Sequence, residues 1–395
     1  MTATTAPRRA AHGSGATRLS ALPPVATAAL ALAAIAAIAL PGGAVGEQVV
    51  RLASGGATMA VAAAALAAGA LAIALGGTGP AARRPVAAGA GFAASGVLFG
   101  LVLLLSIRGG LIYAGGAVAP AILIPAVAVL LWRGMAGLGE AGRIGGIVVP
   151  ALFGGLLVWL WEVLCLGFEF PQVLLPAPSL IIASFFDNLY TLREDFVQTF
   201  VRSVVPGYAM GCGAGFLVAV AIDRSPFLQR GLLPLGSMIS AMPIVGIAPI
   251  AVMWFGFDWP SKAAVVVVMT FFPMMVNTLA GLQATGAMER DLMRSYAAGY
   301  PQTLLKLRLP AAMPFVFNAL KLNSTLALIG AIVAEFFGTP IRGMGFRIST
   351  EVQRLNVDFV WATILVAALA GSISYGLLAL AERGVTFWHP SHRKA

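Results

Sequence analysis

The sequence predicts an all-α polytopic membrane protein with about ten transmembrane helices. Of its 395 residues, 59% are hydrophobic and only 10% are charged, against about 25% charged in an average soluble domain. Apolar blocks with few charges recur along the chain at the length that a helix needs to cross a hydrocarbon core about 30 Å thick. Helices are expected in these blocks because an α-helix satisfies its own backbone hydrogen bonds within the segment.

The predicted spans fall into two groups that differ in composition. They lie at roughly 22–40, 57–76, 87–107, 111–132, 145–166, 199–222, 231–256, 263–283, 314–337 and 360–381. Before residue 145 the spans are almost pure Ala, Gly and Leu, whereas the later loops carry acids, aromatics and prolines at definite places. We therefore predict a cytoplasmic tail at 1–21, an accessory four-span membrane region at 22–140 and a six-span functional core at 141–395.

The basic residues predict the orientation. If the N-terminus lies in the cytoplasm, 16 of the 25 Lys and Arg residues fall on the cytoplasmic side, as the positive-inside rule requires. Both termini are then cytoplasmic. The net charge of +10 is interpreted as this topological signal, and no nucleic-acid partner is predicted. Cys165 and Cys212 lack metal-ligand or CxxC spacing, so no metal site or disulfide framework is expected.

Two connections on the predicted outer side are too patterned to be slack loops. The segment 167–198 alternates apolar with charged residues at roughly helical spacing, which indicates a short interfacial helix. The segment 339–358 mixes apolar residues with three arginines, and this predicts a short amphipathic piece along the membrane surface.

The cytoplasmic segment 285–314 is the most informative part of the chain. It is too polar to span a membrane, and its charged residues alternate with leucines and other apolar side chains. Gly299 and Pro301 predict a break between two short helices, because Gly and Pro end one helix and Pro can begin the next. An amphipathic helix pair of this kind fits the groove of a partner protein; a solvated loop is the alternative.

This segment resembles the coupling loop of binding-protein-dependent ABC importer permeases, whose pattern is EAA, three residues, Gly, nine residues and then IxLP. Asp291, Leu292 and Met293 stand at EAA, Ala297 stands at the glycine, and LRLP at 307–310 closes the pattern. The departures are Asp for Glu, larger side chains for both alanines, and Ala for Gly. The residues that the resemblance assigns to ATPase coupling are Asp291, Met293, Arg294, Ala297, Leu307, Leu309 and Pro310.

Further segments resemble permeases of the nitrate, sulfonate and taurine type, a group that includes importers of thiamine pyrimidine precursors and riboflavin-like solutes. They are LPAPS at 175–179, SAMPIVGIAPIAVMWFGF at 240–257, FFP at 271–273 and VAEFFG at 333–338. The resemblance covers about 145–390 and implies a six-helix permease core in the bacterial inner membrane. It does not extend to the accessory region.

The resemblance also implies the partners. These are ABC ATPase subunits, an extracytoplasmic solute-binding protein and a second permease copy, with a homodimer expected. The chain contains no GxxxxGK[ST] phosphate loop, so it is not expected to be an enzyme, and ATP with Mg²⁺ is expected on the ATPase. No cofactor is expected in this chain.

Candidates for the translocation pathway are Pro243, Gly246, Pro249 and Glu335. The prolines and the glycine weaken a helix and free carbonyls that are tolerated beside protein or water; a packing kink is the alternative. Glu335, with Glu162 and Lys321, is a charge within a predicted span, for which snorkelling toward headgroups is the alternative.

The main competing function is an ion-gradient-driven secondary transporter with Glu162 or Glu335 as the coupling carboxylate. Such transporters usually contain inverted repeats, and none is found here. The solute is not predicted: a sulfonate, nitrate, a pyrimidine precursor and a riboflavin-like compound all remain open.

Overall fold

The computed structural model describes residues 86, 89–94, 96–97, 100–101, 104, 118–140, 142, 144–168, 170–240, 242–338 and 341–388. All regular elements in these ranges are helices, as the sequence predicts. The predicted tail, the spans 22–40 and 57–76 and much of 87–107 lie outside the described residues. The chain divides between Pro171 and Gln172 into two compact units, whereas the sequence analysis places its boundary at 140/141, which stays a prediction.

The first unit contains α1 (Val118–Leu138) and α2 (Gly145–Gly167). Val127 and Val163 are fully buried between these helices. Trp159 donates a hydrogen bond from its indole N–H to the carbonyl of Gly100 at 2.9 Å, which satisfies the polar group of a largely apolar ring. Helix α2 matches the predicted span 145–166 and is long and apolar enough to cross a membrane.

The second unit contains the remaining helices. They are α3 (Pro178–Asp187), α4 (Leu189–Ile222), α5 (Pro226–Ser240), α6 (Ile244–Phe255), α7 (Trp259–Gln283), α8 (Ala287–Ser295), α9 (Tyr300–Glu335), α10 (Met344–Gln353) and α11 (Val357–Val385). Helices α4, α7, α9 and α11, like α2, have the length and hydropathy of membrane spans. Helices α3 and α10 lie in the two connections where short helices are predicted.

The predicted span 231–256 is wrong as a single helix. The structure contains α5 and α6 there, and α6 begins after Pro243, whose backbone is extended with ψ at 120°. Proline has no N–H to donate, and its ring disfavours helical geometry in the preceding residue. Pro249, by contrast, is accommodated inside α6. The described residues contain five helices with the length and hydropathy of membrane spans. Because several predicted spans lie outside these residues, the predicted count of ten is not tested.

Close packing of α4 on α7 forms the centre of the second unit. Gly207, Gly211 and Gly215 of α4 all face α7, and a Cβ at Gly211 would lie 3.0 Å from the Cα of Val267. Small residues at this spacing let two helix backbones approach closely. The GxxxG pattern therefore serves packing within the subunit.

Helix α9 connects two opposite ends of this unit. Its 36 residues give a length of about 54 Å, well beyond the hydrocarbon core of a bilayer. One end, here called the loop end, carries α8 and the turn after α4 at residues 222–226. The other, called the far end, carries Glu335 and the segment 341–356.

Candidate functional site

Helix α8 at the loop end is almost free of contacts with the rest of the chain. None of its residues is buried. The apolar side chains on the helix and directly after it are exposed to solvent: Met288 is 84% exposed, Leu292 56% and Tyr296 77%. Glu289 in the first turn and Arg294 in the last turn suit the helix dipole. An amphipathic helix with exposed apolar side chains is suited to docking in the groove of a partner.

A tight turn ends α8 at the position where the family pattern has glycine. Ala297 has a φ of +53°, in the left-handed region that costs a residue with a Cβ about 1–2 kcal/mol. The N–H of Ala297 donates to the carbonyl of Arg294 at 2.9 Å, and the N–H of Ala298 donates to that of Met293 at 3.0 Å. This pair of bonds is a Schellman motif. The backbones of Met293 and Arg294 thus shape the turn.

A buried ion pair anchors the base of the loop. Arg308 forms a bidentate pair with the carboxylate of Asp223, at 2.5 and 2.8 Å. It also donates through Nε to the carbonyl of Leu282 at 2.9 Å. The hydroxyl of Tyr300 donates to the same carboxylate at 2.9 Å. Because Asp223 directly follows α4 and Leu282 lies at the end of α7, Arg308 joins three helices.

A cation–π contact adds to this anchor. The guanidinium of Arg224 lies 3.9 Å from the centre of the Tyr300 ring, within the range in which such contacts are attractive. The loop end therefore consists of an exposed tip, α8, on a base that is fastened to α4 and α7.

The other predicted coupling residues lie around this base. Asp291 pairs with Arg294 at 3.2 Å, but both side chains are exposed. Leu307, Leu309 and Pro310 are half-buried in the first turns of α9. The prediction of two separate short helices is wrong for the second of them, because the helix that begins at Tyr300 continues without a break to Glu335. Pro301 sits in its first turn, where a proline costs no hydrogen bond.

The pathway candidates do not form a single group. Pro243 and Gly246 lie at the open side of α6, where a Cβ at Gly246 would meet no neighbouring atom. Pro249 is half-buried in the middle of that helix. The opposite face of α6 packs through Ala248 and Ala251 against α7 and α9.

Glu335 lines no open space in this conformation. It is 2% exposed, and its carboxylate accepts hydrogen bonds from the Thr199 hydroxyl and the Gly345 N–H. Snorkelling does not describe Lys321 either, because its ammonium pairs with Glu382 at 2.6 Å. Glu162 in the first unit is buried as well. These intramembrane charges are thus enclosed by protein, as their desolvation requires.

The sequence analysis missed Asp223, Tyr300 and Arg308 as a unit. The available signal was topological, since the turn after α4 and the segment 285–314 are both predicted on the cytoplasmic side. The pairing itself joins positions 85 residues apart, and no local pattern relates them. Arg308 appears in the family motif only as its variable position.

Comparison with known proteins agrees with this geometry. Residues 211–387 match the family described as binding-protein-dependent transport system inner membrane component. A probable ABC transporter permease protein of Haemophilus influenzae is 29% identical over 220 residues, covering 56% of this chain and 89% of that protein. A putative aliphatic sulfonates transport permease protein of Bacillus subtilis is 27% identical over 253 residues, covering 64% and 90%.

A third relative is named for a different solute. The formylaminopyrimidine transport permease protein of Halalkalibacterium halodurans is 28% identical over 239 residues, covering 60% of this chain and 95% of that protein. Each relative is matched over nearly its full length, yet more than a third of this chain lies outside each match. The matched domain includes α8, the turn at Ala297 and the anchored base. Residues 211–387 therefore match the inner membrane component of binding-protein-dependent transport systems, and the chain is similar to ABC transporter permeases over more than half of its length.

Proposed function

We propose that this chain translocates a small solute that an extracytoplasmic binding protein delivers, and that separate ATPase subunits drive it through the loop 285–314. The observation that carries the proposal is the combination of an exposed tip with an anchored base. Helix α8 presents Met288 and Leu292 to a partner, while Arg308 fastens the base to α4 and α7. A helix pair with one free and one fixed end converts partner movement into helix movement.

The mechanism is a switch between two packings of the spans. Closure of the ATPases on ATP and Mg²⁺ displaces α8, and the anchored base carries that displacement into the bundle. Ligands bias such a switch only through their different affinities for the two states. Hydrolysis belongs to the ATPase chains, so this chain itself is not an enzyme and needs no cofactor.

A second permease copy completes the pathway in this proposal. The open side of α6, with Pro243 and Gly246, is the proposed pathway wall. Large apolar side chains are exposed at the other end of that helix, including Met253 at 82% and Trp254 at 77%, and these would face lipid or the second copy. The chain is proposed to sit in the inner membrane with both termini in the cytoplasm and α8 on the cytoplasmic side.

The solute belongs to a class rather than to a single compound. Two of the relatives given above are named for the transport of aliphatic sulfonates and of formylaminopyrimidine. A taurine transport permease of Escherichia coli is 28% identical over 176 residues. A small polar solute that a binding protein selects fits this range. Residues 22–140 have no assigned part in the transport step.

The test of the loop is a substitution at the turn. Ala297→Arg places a long charged side chain on a left-handed residue beside α8, and it should release the ATPase from the membrane. Insertion should stay normal, because Ala297 lies outside the candidate spans. Co-purification of the ATPase and its vanadate-sensitive hydrolysis in membranes are the measurements.

The matched control is Ala287→Arg, at an exposed residue in the first turn of the same helix. It should change ATPase binding much less, because its backbone is helical and it forms no part of the turn. Normal ATPase binding and hydrolysis with Ala297→Arg would show that the loop is not the energy input. The ion-gradient-driven transporter would then be the better description.

A further inference from the structure

Side chains from two other helices hold the start of α10 at the far end. Its backbone N–H groups at Gly343, Met344 and Gly345 donate to Asp195 Oδ1 at 2.8 Å, Thr199 Oγ1 at 2.8 Å and Glu335 Oε2 at 2.7 Å. The first N–H groups of a helix have no partner within it. We call Asp195, Thr199, Glu335 and these three amides the latch.

Thr199 is the centre of the latch. Its hydroxyl donates to the carboxylate of Glu335, at 2.8 and 2.9 Å from the two oxygens, while it accepts from the Met344 N–H. Thr199 is fully buried. Gly343 has a φ of +136°, and a Cβ there would lie 2.7 Å from the Glu335 carboxyl carbon. The latch thus joins α4, α9 and α10 through buried, mutually satisfied groups.

The two long helices of the latch are tied together at three levels. At the loop end Asp223, directly after α4, pairs with Arg308 of α9. Near the middle, the hydroxyl of Tyr208 donates to the carbonyl of Leu320 at 2.9 Å. At the far end Thr199 bonds Glu335. These contacts hold the two helices together along most of their shared length.

Local helix geometry marks the same two ends. Residues Val197–Val204 of α4 and Leu304–Arg308 of α9 are π-helical. Such wide turns are uncommon and occur frequently at functional sites. One contains Thr199 of the latch and the other contains Arg308 of the anchor.

Ion pairs both join the segment 341–356 to α4 and link residues within it. Arg347 bonds Asp195 at 2.8 Å and lies 3.7 Å from Glu351. Glu351 also accepts from Asn356 at 3.0 Å. Ile341, at the start of the segment, is 81% exposed. The segment is therefore attached to α4 and α9 through its first turn, to α4 again through Arg347, and to α11 by packing.

We propose that α4 and α9 form a lever that carries the movement of the loop end to the segment 341–356, with Thr199 and Glu335 as the positioning residues that attach the segment to it. This inference rests on the proposed function, because ATPase subunits must move the loop end. It replaces a pathway role for Glu335 with a mechanical one. Opening the latch should separate events at the two ends: ATP hydrolysis continues while the segment no longer responds.

The experiment follows the segment directly and needs no knowledge of the solute. Ile341→Cys is labelled with fluorescein maleimide in the full-length chain with its ATPase subunits, in phospholipid nanodiscs. The native Cys165 and Cys212 are buried and contribute little background. Labelling rates are compared without nucleotide and after trapping with ATP and vanadate. We expect them to differ about five-fold, at the lower end of typical coupling between sites.

Thr199→Val removes the hydroxyl at almost unchanged volume and should reduce this difference to about two-fold or less, while ATPase co-purification and hydrolysis stay within about two-fold. Thr199→Ser retains the hydroxyl and should retain the difference. Thr325→Val is the matched control, because this exposed α9 residue bonds only the carbonyl of Leu322 on its own helix among the contacts described. Amide exchange of 343–345 should rise about five-fold in Thr199→Val alone, as expected for the loss of one hydrogen bond.

Three outcomes of this experiment would overturn the lever. A nucleotide-independent labelling rate in the Ile341→Cys parent, an unchanged response in Thr199→Val, or equal loss in Thr199→Ser would do so. Loss of ATPase binding in Thr199→Val would indicate general damage to the fold, which the lever does not predict. Failure of the proposed function is distinguishable: Ala297→Arg would then leave ATPase binding intact, whatever the result at Thr199.

Discussion

At the scale of single residues, burial separates two Arg–Asp ion pairs at the loop end. Arg294 and Asp291 lie on α8 with side chains 82% and 69% exposed, and such surface pairs contribute about 0–1 kcal/mol. Arg308 and Asp223 are 13% and 0% exposed. Removing one partner of a buried pair leaves an uncompensated charge, which costs about 3–5 kcal/mol. The second pair is therefore the one on which the loop depends.

We predict that Arg308→Met destabilises the permease strongly. The substitution leaves the Asp223 carboxylate buried without its guanidinium and also frees the carbonyl of Leu282. The expected loss is about 3–5 kcal/mol, measured as a lower thermal unfolding midpoint in detergent. Arg294→Met is the control and should change stability by less than about 1 kcal/mol. Equal midpoints for the two variants would contradict the anchoring role of Arg308.

At the scale of elements, the contact between α4 and α7 depends on the absence of side chains. Gly211 faces α7 so closely that a Cβ would lie 3.0 Å from Val267 backbone atoms, whereas Gly213 on the same helix faces open space. Neither position needs the left-handed conformation, so the difference between them is steric. Helix α7 also contacts α9, where Asn323 donates a hydrogen bond to the Thr270 carbonyl at 2.8 Å.

Gly211→Ala and Gly213→Ala should therefore have opposite effects. The first forces α4 away from α7 and should destabilise the protein by about 1–3 kcal/mol, the usual cost of overpacking. The second relieves the entropic cost of a helical glycine and should stabilise by up to about 1 kcal/mol. Thermal unfolding of the two purified variants is the comparison. A stabilising Gly211→Ala would show that the helices can separate freely there.

At the scale of the whole molecule, the two ends of the second unit differ in how far their functional residues are exposed. The loop end carries the exposed helix α8, and the far end carries the enclosed latch. Helix α9 runs between them over about 54 Å, so roughly 20 Å of it exceeds the hydrocarbon core. A projecting loop end is the arrangement that a partner outside the membrane can reach.

We predict that the two ends lie on opposite sides of the inner membrane. Reporter fusions or cysteine labels after residues 84 and 300 should report the cytoplasm, and those after 180 and 350 the outer side. The physical reason is the excess of Lys and Arg in the predicted cytoplasmic segments. An outer location for residue 300 would remove the coupling argument entirely.

Local composition was sufficient to predict many of the helices of this protein and one of the breaks between them. Apolar length predicted α2, α4, α7, α9 and α11, because the hydrophobic effect acts on each segment separately. Gly and Pro predicted the break after α8, since glycine admits non-helical backbone conformations and proline fixes φ and lacks an N–H donor. The prediction of a single span at 231–256 was wrong because it rested on hydropathy alone. Hydropathy does not reflect the break in the helix at Pro243.

The partners of the charged groups were decided only by the tertiary structure. Thr199 and Glu335 are separated by 136 residues, and Asp223 and Arg308 by 85. Sequence spacing shows which residues share a helix face, but it does not show which helices meet or at what level. A carboxylate in a span can snorkel, line a pathway or bond a neighbouring helix. For Glu335, the packing of α4, α9 and α10 selected the last of these, because it places two donors, the Thr199 hydroxyl and the Gly345 N–H, within hydrogen-bonding distance of the carboxylate in a buried site.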